Sequence, residues 1–425
     1  MSEIENNNEK RNNKTKIKNT KYYSNISNYS SYSCGTGPEA EEVYCPENNE
    51  ENNNNNINDL SIKNSEELNI SNGMHIENNL DFNLNLLKKN YSSLLILLCL
   101  SIFIRKSHSY EYKSDLLEMW VESNSNFNVN ELNKTKERKL YLKNKTEFYY
   151  NIRKNFLLKH HIIYNESNLT TFQDKLSYLV IHESPQYKSF IVDKIKLRDY
   201  SKKILGKDIC VPLLKTYDDA NEIKYEELPD KFVMKYNHGS GMNIICEDKN
   251  KLNIEHAYKK LNEWKNFNYG LWSTEFQYIY VKRRILVEKF LDKNLINYKV
   301  FCFNGEPKFI LARKKLNDNT VIHNYYDLNW DLTELETKSK ERKRDPNIKI
   351  EKPKYLKLMI QYTKLLSQEF AFVRIDMYEF NDKIYLGEMT FTPCNSFYKW
   401  KNPTHNTIIA NKLDIGKIKH YLFNK

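Results

Sequence analysis

Glycine is scarce in this chain, 10 of 425 residues. In so poor a composition each glycine marks a place where the backbone needs positive φ or where a side chain would obstruct an approach. Cysteine is sparse too. The seven, at 34, 45, 99, 210, 246, 302 and 394, form no CxxC pair and show no metal-ligand spacing. That removes the zinc-ribbon class and leaves no case for a disulfide framework. Cys210, Cys246 and Cys302 lie in apolar strand-like runs and read as buried free thiols. Long apolar runs are missing as well. The stretch Tyr91–Ile104 has 14 residues, about 21 Å of helix against a hydrocarbon core of ~30 Å. Lys88-Lys89 precede it and Arg105-Lys106 follow. Its length suits the apolar part of a secretory signal, with Ser107 and Ser109 at cleavage positions; it also suits a retained anchor or a buried helix. The first two readings put the chain in the secretory pathway or at a membrane, the third in the cytoplasm.

What the chain does have is asparagine, lysine, tyrosine and isoleucine in abundance. Residues 1–90 are low complexity, including the run Asn52–Asn56, with too little apolar surface to offset the entropy of ordering, so disorder is expected. Residues 105–150 are polar and read as a linker with some helix; 151–425 read as the catalytic region. The formal charge of +11 is spread along the chain. That suits general solvation, and nucleic acid is not expected as a partner, because no aromatics interleave with the basic residues on a glycine-marked surface. One basic cluster, Lys338, Lys340, Arg342, Lys343 and Arg344, reads as a solvated loop. The sequons at Asn133 and Asn168 decide nothing in a chain so rich in asparagine.

From residue 150 the periodicities sharpen. Leu169–Leu176 and Val192–Leu205 are helical, the second closed by Gly206, and Cys210–Leu214 is a strand. Leu252–Trp264 places apolar residues at 254, 257, 258, 261 and 264, a helix whose stripe is core. Arg284–Leu291 is a strand running into a polar turn. Tyr298–Phe303, Asn304-Gly305 and Pro307–Ala312 form a hairpin, and Tyr355–Phe370 is an amphipathic helix.

Two stretches carry chemistry. In Phe232–Cys246 an apolar strand ends at Lys235, the loop His238-Gly239-Ser240-Gly241 turns the chain, and a second apolar strand leaves. Such a loop lets backbone N–H groups and one ammonium close over a polyphosphate, and lacks the Gly-Lys-Ser/Thr and following helix of a Walker A loop. An ordinary hairpin turn is the competing reading. The second stretch pairs Phe372–Tyr378 with Lys383–Phe391 across Asn381-Asp382. Strand alternation puts Arg374 with Asp376, and Glu388 with Thr390. A two-residue loop would set these faces opposite ways, whereas a three-residue loop would set Asp376 opposite Glu388. Two carboxylates that close call for a cation between them, and oxygen-only ligands suit Mg²⁺. The alternative is a pair of exposed acids on a surface hairpin.

Taken in order, Asp193-Lys194 with Leu197-Arg-Asp-Tyr200, Leu228–Lys235, Asn237–Gly241, Val287–Leu291, Tyr298–Gly305, Phe372–Asp376 and Gly387–Pro393 resemble the ATP-grasp superfamily. Specifically they resemble its teichuronopeptide-biosynthesis (TupA-like) branch. The resemblance spans about 165–400 and implies an α+β fold, two α+β lobes with antiparallel sheets clamping MgATP. It implies that Lys235 and Lys299 contact the α- and β-phosphates, and that His238, Gly239, Ser240 and Gly241 form a mobile loop over the γ-phosphate. The hinge Glu288–Leu291 would hold the adenine, with the Leu291 N–H as donor. Asp376 and Glu388 would ligate Mg²⁺, Thr390 standing where the superfamily often has asparagine, and Arg374 would stabilise the transferring phosphoryl group. His238 and Lys299 would join Arg374 in catalysis.

The activity implied is ATP-dependent joining of a carboxylate to an amine through an acyl phosphate, in surface polysaccharide or glycoconjugate peptide assembly. A nucleotide-binding relative without catalysis and a glycosyltransferase-type enzyme are the alternatives. Cys394 stands where this branch has glycine, which leaves acceptor choice open.

Overall fold

The computed structural model describes residues 127–132, 134–316, 320–339 and 342–417. The disorder expected over 1–90, the apolar segment 91–104 and the linker up to 126 lie outside these residues. Among the described residues no helix is long and apolar enough to cross a membrane.

The chain enters through helices α1 (Thr135–Lys143) and α2 (Lys145–Lys159). Phe127, Leu132, Tyr141, Phe148 and Tyr149 pack with Val180, Phe276, Ile279 and Tyr280 in one buried cluster. Phe127, Leu132, Tyr141, Phe148 and Tyr149 are therefore core, although they lie in a stretch expected to be linker and most of the residues between them are exposed. The segment is polar on average, but Phe127, Tyr141, Phe148 and Tyr149 face inward. Inside the cluster the Tyr280 hydroxyl meets those of Tyr141 at 2.7 Å and Tyr149 at 2.5 Å.

Helix α3 (Phe172–His182) starts at a capping box, where Thr171 accepts from the Asp174 N–H and Asp174 accepts from the Thr171 N–H. Helix α4 (Pro185–Val192) begins with Ser184 as N-cap and proline in its first turn, and α5 (Leu197–Leu205) ends at Gly206 with φ +69°. The single helix expected over 192–205 is thus broken. The Asp193 carboxylate accepts the Ile195 N–H at 2.9 Å and turns the chain between α4 and α5.

Strands β1 (Leu213–Tyr217), β2 (Phe232–Tyr236), β3 (Asn243–Cys246) and β4 (Ile285–Lys289) form a four-stranded antiparallel sheet in the order β1-β4-β2-β3. The strand expected over 210–214 starts later, at Leu213, because Cys210 bridges instead to Leu386 of the second sheet. Helix α6 (Ile254–Asn266) and the short α7 (Tyr269–Ser273) connect β3 to β4.

The second sheet has six strands in the order β10-β9-β5-β6-β7-β8. They are β5 (Asn297–Phe303), β6 (Glu306–Lys315), β7 (Val321–Tyr326), β8 (Arg342–Lys343), β9 (Phe372–Phe380) and β10 (Lys383–Thr390). All pairings are antiparallel except β7 with β8. Asn304 and Gly305 close the β5–β6 hairpin with φ of +48° and +81°, the conformation an Asn-Gly pair favours. Helix α8 (Leu356–Ser367) covers this sheet. Phe172, Phe301, Phe303, Phe309, Phe372 and Trp400 are among the residues of the main core, which also takes in the last helix, α9 (Thr404–Ala410). Cys210, Cys246 and Cys302 are buried free thiols, as expected. This is an α+β architecture of two antiparallel-based sheets.

Candidate active site

The loop after β2 is shaped by packing as much as by any ligand. A side chain at Gly239 would sit 2.9 Å from the Tyr269 ring and from the Met242 methyl, and Gly241 has φ +78°. The loop is also tied from outside. Asn237 Nδ2 donates to Asp193 at 2.9 Å, and Lys194 Nζ donates to the Gly239 carbonyl at 2.7 Å. Asp193 and Lys194 occupy the break between α4 and α5, which is why that break exists where it does.

His238 does not face a phosphate site. It is 1% exposed, and its Nε2 lies 3.2 and 3.3 Å from the carbonyls of Trp264 and Phe267 at the end of α6. Two carbonyl acceptors make that nitrogen the donor. Burial, then the Arg283 charge, depress its pKa to about 3, so the ring is neutral. The catalytic role expected of His238 is replaced by that of an anchor, because the loop leaving β2 turns the ring onto the carbonyls at the end of α6.

Lys235 leaves β2 toward Glu288 of β4, donating to its Oε2 at 2.7 Å; Arg198 of α5 approaches the other carboxylate oxygen at 3.3 Å. Burial works to lower the Lys235 pKa, but the Glu288 carboxylate holds it raised. Glu288 thus engages both cations through its side chain. Leu291 lies just beyond the end of β4, half-buried.

The β9–β10 hairpin settles the register left open by the sequence. Its loop is two residues, Asn381 and Asp382, with φ of +48° and +56°, and Lys383 pairs with Phe380. The ladder then shifts between Leu386 and Glu388, so that Asp376 opposes Glu388 after all. Gly387 is the extra residue of this bulge. A side chain there would come within 2.6 Å of the Tyr378 ring.

Asp376, 1% exposed, is gripped by Arg374 at 2.6 and 2.9 Å and by Lys299, its cross-strand partner on β5. Arg374 also reaches Glu388 at 3.1 Å and Thr390 at 3.3 Å, bridging the two carboxylates. Burial and then the neighbouring Arg374 lower the Lys299 pKa despite the Asp376 carboxylate. For Glu388, burial opposes ionisation, but Arg374, Lys194, Lys299 and Lys235 outweigh it and hold the carboxyl at about 2. Four cations from both sheets and from the α4–α5 turn therefore act on one carboxylate.

Among the described residues no cluster of three His, Cys, Asp or Glu side chains could hold a metal. Asp376, Glu388 and the Thr390 hydroxyl, 3.3 Å from Glu388, form an oxygen-only set. Mg²⁺ is held in such sites by one or two carboxylates, waters and substrate phosphates, so this set fits. The Glu388 side chain is 30% exposed and is the open member of the pair.

Several residues around the candidate site escaped the sequence reading. Lys194 was legible only as part of a motif, because nothing local shows that it reaches a loop 45 residues away. Asn297, Arg313 and His323 are successive cross-strand partners on β5, β6 and β7, and Asn297 also donates to the Tyr378 hydroxyl at 3.3 Å. His323 is buried; burial, Arg342, Arg313, Lys299 and Arg374 push its pKa well down. Arg342, from the basic cluster read as a solvated loop, instead pairs with Val321 as part of β8, and its charge acts on His323.

Residues 174–413 match the family model described as TupA-like ATPgrasp. No curated protein matches the chain. Among solved structures it is similar to the D-alanine–D-alanine ligase from Bacillus anthracis complexed with ATP, at 18% identity over 52% of this chain and 63% of that one, TM-score 0.28. It is also similar to the ATP-grasp ligase PsnB complexed with a phosphomimetic variant of its minimal precursor, Mg and ADP, at 10% identity over 56% and 62%, TM-score 0.32. N5-carboxyaminoimidazole synthetase from Staphylococcus aureus matches at 13% identity over 47% and 44%, TM-score 0.26. The chain spans 44% to 63% of the length of the first structures it matches. Those overlaps are loose, and the family match alone decides membership.

Proposed function

Because the chain belongs to the TupA-like ATP-grasp family, we propose that it is an ATP-dependent carboxylate–amine ligase. The observation that carries this reading is the cluster in which Arg374 joins Asp376 to Glu388 and Lys299 donates to Asp376, with the charges of Lys194 and Lys235 also acting on Glu388. Phosphoryl transfer needs charge neutralisation and positioning more than covalent help from the protein, and this cluster supplies both.

In this reading Lys194, Lys235 and Lys299 hold the phosphates, and the backbone of Gly239–Gly241 closes over them. Arg374 stabilises charge on the phosphoryl group in flight. Asp376, Glu388 and Thr390 would hold Mg²⁺, which neutralises phosphate charge when bound. A substrate carboxylate oxygen attacks the terminal phosphorus, the bond to ADP breaks, and an acyl phosphate forms. An amine then attacks the acyl carbon, loses a proton, and releases phosphate as the amide forms.

An anionic substrate, as in surface polysaccharide or glycoconjugate peptide assembly, is supported by the positive charges of Arg313 and Arg342, which act on the same buried His323 as Lys299 and Arg374. The segment 91–104 would bring this chemistry to a membrane as signal or anchor, which fractionation of the chain with and without 91–104 tests.

A second reading is favoured by one residue. Cys394 adopts φ +56° where a glycine would be unstrained, so a nucleotide binder that has lost its acceptor chemistry fits that position. ADP and phosphate release from MgATP separates the two, with a thermal-shift titration and the Asp376→Asn and Lys235→Ala proteins as controls. The ligase reading expects nucleotide stabilisation and slow ADP release, both lost in the variants. Stabilisation without turnover across amino acids and uronic acids supports the binder. A folded protein that ATP does not stabilise sinks both.

A further inference from the structure

Arg153, on α2, precedes the segment that matches the family, and among the described residues it is the largest fully buried side chain. Its guanidinium makes no hydrogen bond to a carboxylate. Nη1 donates to Thr274 Oγ1 at 2.5 Å, and Nη2 to Ser177 Oγ at 3.2 Å and to the Asn395 carbonyl at 2.9 Å. Nε has no partner, and the group lies over Phe397, which stacks on Phe156. Burial lowers its pKa to about 10, with Glu275 acting the other way, so it remains a cation. A buried charge with no carboxylate hydrogen-bonded to it is poor for stability, and an apolar side chain of the same size would serve packing better. Its presence calls for a geometric reason.

That reason is visible in what Arg153 holds. Thr274 has φ +59°, and Cys394, Asn395 and Ser396 have φ of +56°, +51° and +67°. Non-glycine residues in the left-handed region persist only where their surroundings over-determine them. Arg153 grips one such residue beside α7 and the middle of the run that follows β10. Next to it Glu275 repeats the connection, accepting from Thr392 Oγ1 and, at 2.8 Å, from the Tyr269 hydroxyl. The Tyr269 ring is the surface against which Gly239 packs. A continuous path thus runs from the glycine loop through Tyr269, Glu275 and Thr274 to the turn beyond Glu388 and Thr390.

We propose that Arg153 is a positioning residue. It holds the left-handed turn Cys394–Ser396 in register with the glycine loop, so the helices preceding the family segment are part of the working site. The kinetic consequence rests on the ligase reading; the conformational one does not. Two readouts in the full-length chain therefore accompany each other: the rate of thiol labelling at Cys394, located by mass spectrometry, and MgATP-dependent ADP release, with ATP affinity and thermal midpoint as references. Arg153→Met should fold with an unchanged or raised midpoint and bind ATP within about threefold of the parent. It should label Cys394 about tenfold faster and release ADP more than tenfold slower, because small displacements of reacting groups cost rate steeply. Arg153→Lys, which keeps one donor, should fall between the two and serves if the methionine variant does not fold. Unchanged labelling in a folded variant overturns the proposal. So does a parallel fall in midpoint, ATP affinity and ADP release, which would mark a purely structural residue. Faster labelling in a protein that never releases ADP would leave the positioning role standing and defeat the ligase reading alone.

Discussion

The β2–β3 hairpin is held from outside itself: Asp193 holds Asn237, Lys194 holds Gly239, and the end of α6 holds His238. The β9–β10 hairpin carries its own constraints, a two-residue turn, a one-residue bulge and Arg374 bridging Asp376 to Glu388. The first gathers its geometry from residues 26 to 45 positions away; the second needs only its own strands and Lys299. A loop built the first way can adjust when its tethers change, whereas a hairpin built the second way is fixed once its register is fixed.

The sharpest way to break this contrast is Asp376→Asn. It leaves Lys299 and Arg374 buried without their shared carboxylate, which should cost about 3–5 kcal/mol in urea unfolding and at least ~100-fold in ADP release. A loss below ~1 kcal/mol would mean the acid hairpin is not self-supporting. Gly387→Ala comes next. Its methyl meets the Tyr378 ring, so about 1–3 kcal/mol should be lost, and Tyr378→Leu in the same chain should recover part of it. Lys194→Met removes a tether and one of the charges acting on Glu388, but no hydrogen bond to a carboxylate. Stability should stay within ~1 kcal/mol while ATP affinity, by calorimetry, falls about tenfold. Equal affinity would show that the glycine loop does not need its external support.

The smallest effect at neutral pH belongs to His238. Its folded pKa is depressed from 6.5 to about 3, so the unfolded chain binds the proton more readily. The stability this contributes is complete above pH 6.5 and is lost as pH falls toward 3, by up to ~1.4 kcal/mol per pH unit. His238→Gln, which keeps a donor for the α6 carbonyls, should match the parent at pH 7 and show a shallower acid slope in urea titrations. An unchanged slope would place the pH sensitivity elsewhere.

The same contrast explains what the sequence made legible. Asp376, Glu388, Arg374 and Thr390 lie within one hairpin, and period-two alternation was enough to group them. The bulge was hidden, since Gly387 reads equally as any turn or strand glycine until Tyr378 is seen beneath it. The glycine loop was legible as a loop, but its anchors were not, and an imidazole between Lys235 and Gly239 invites a catalytic reading that only burial corrects. Polar composition made residues 127–150 look like linker because composition averages over aromatics that converge from both sides of a turn. Arg153 gave no signal at all: a lone arginine on a basic helix is unremarkable until its partners, 24 to 242 positions away, are known.

The hydroxyl chain of Tyr141, Tyr280 and Tyr149 has a consequence for how the entry helices come undone. That part of the seam is closed by phenols and not by ions, so added salt leaves it alone. Burial raises the pKa of all three phenols, and a proton can be withdrawn there only by parting the helices from the turn that carries Tyr280. Alkali above pH 10, where an exposed phenol ionises, is therefore the solvent change this seam is built least to withstand.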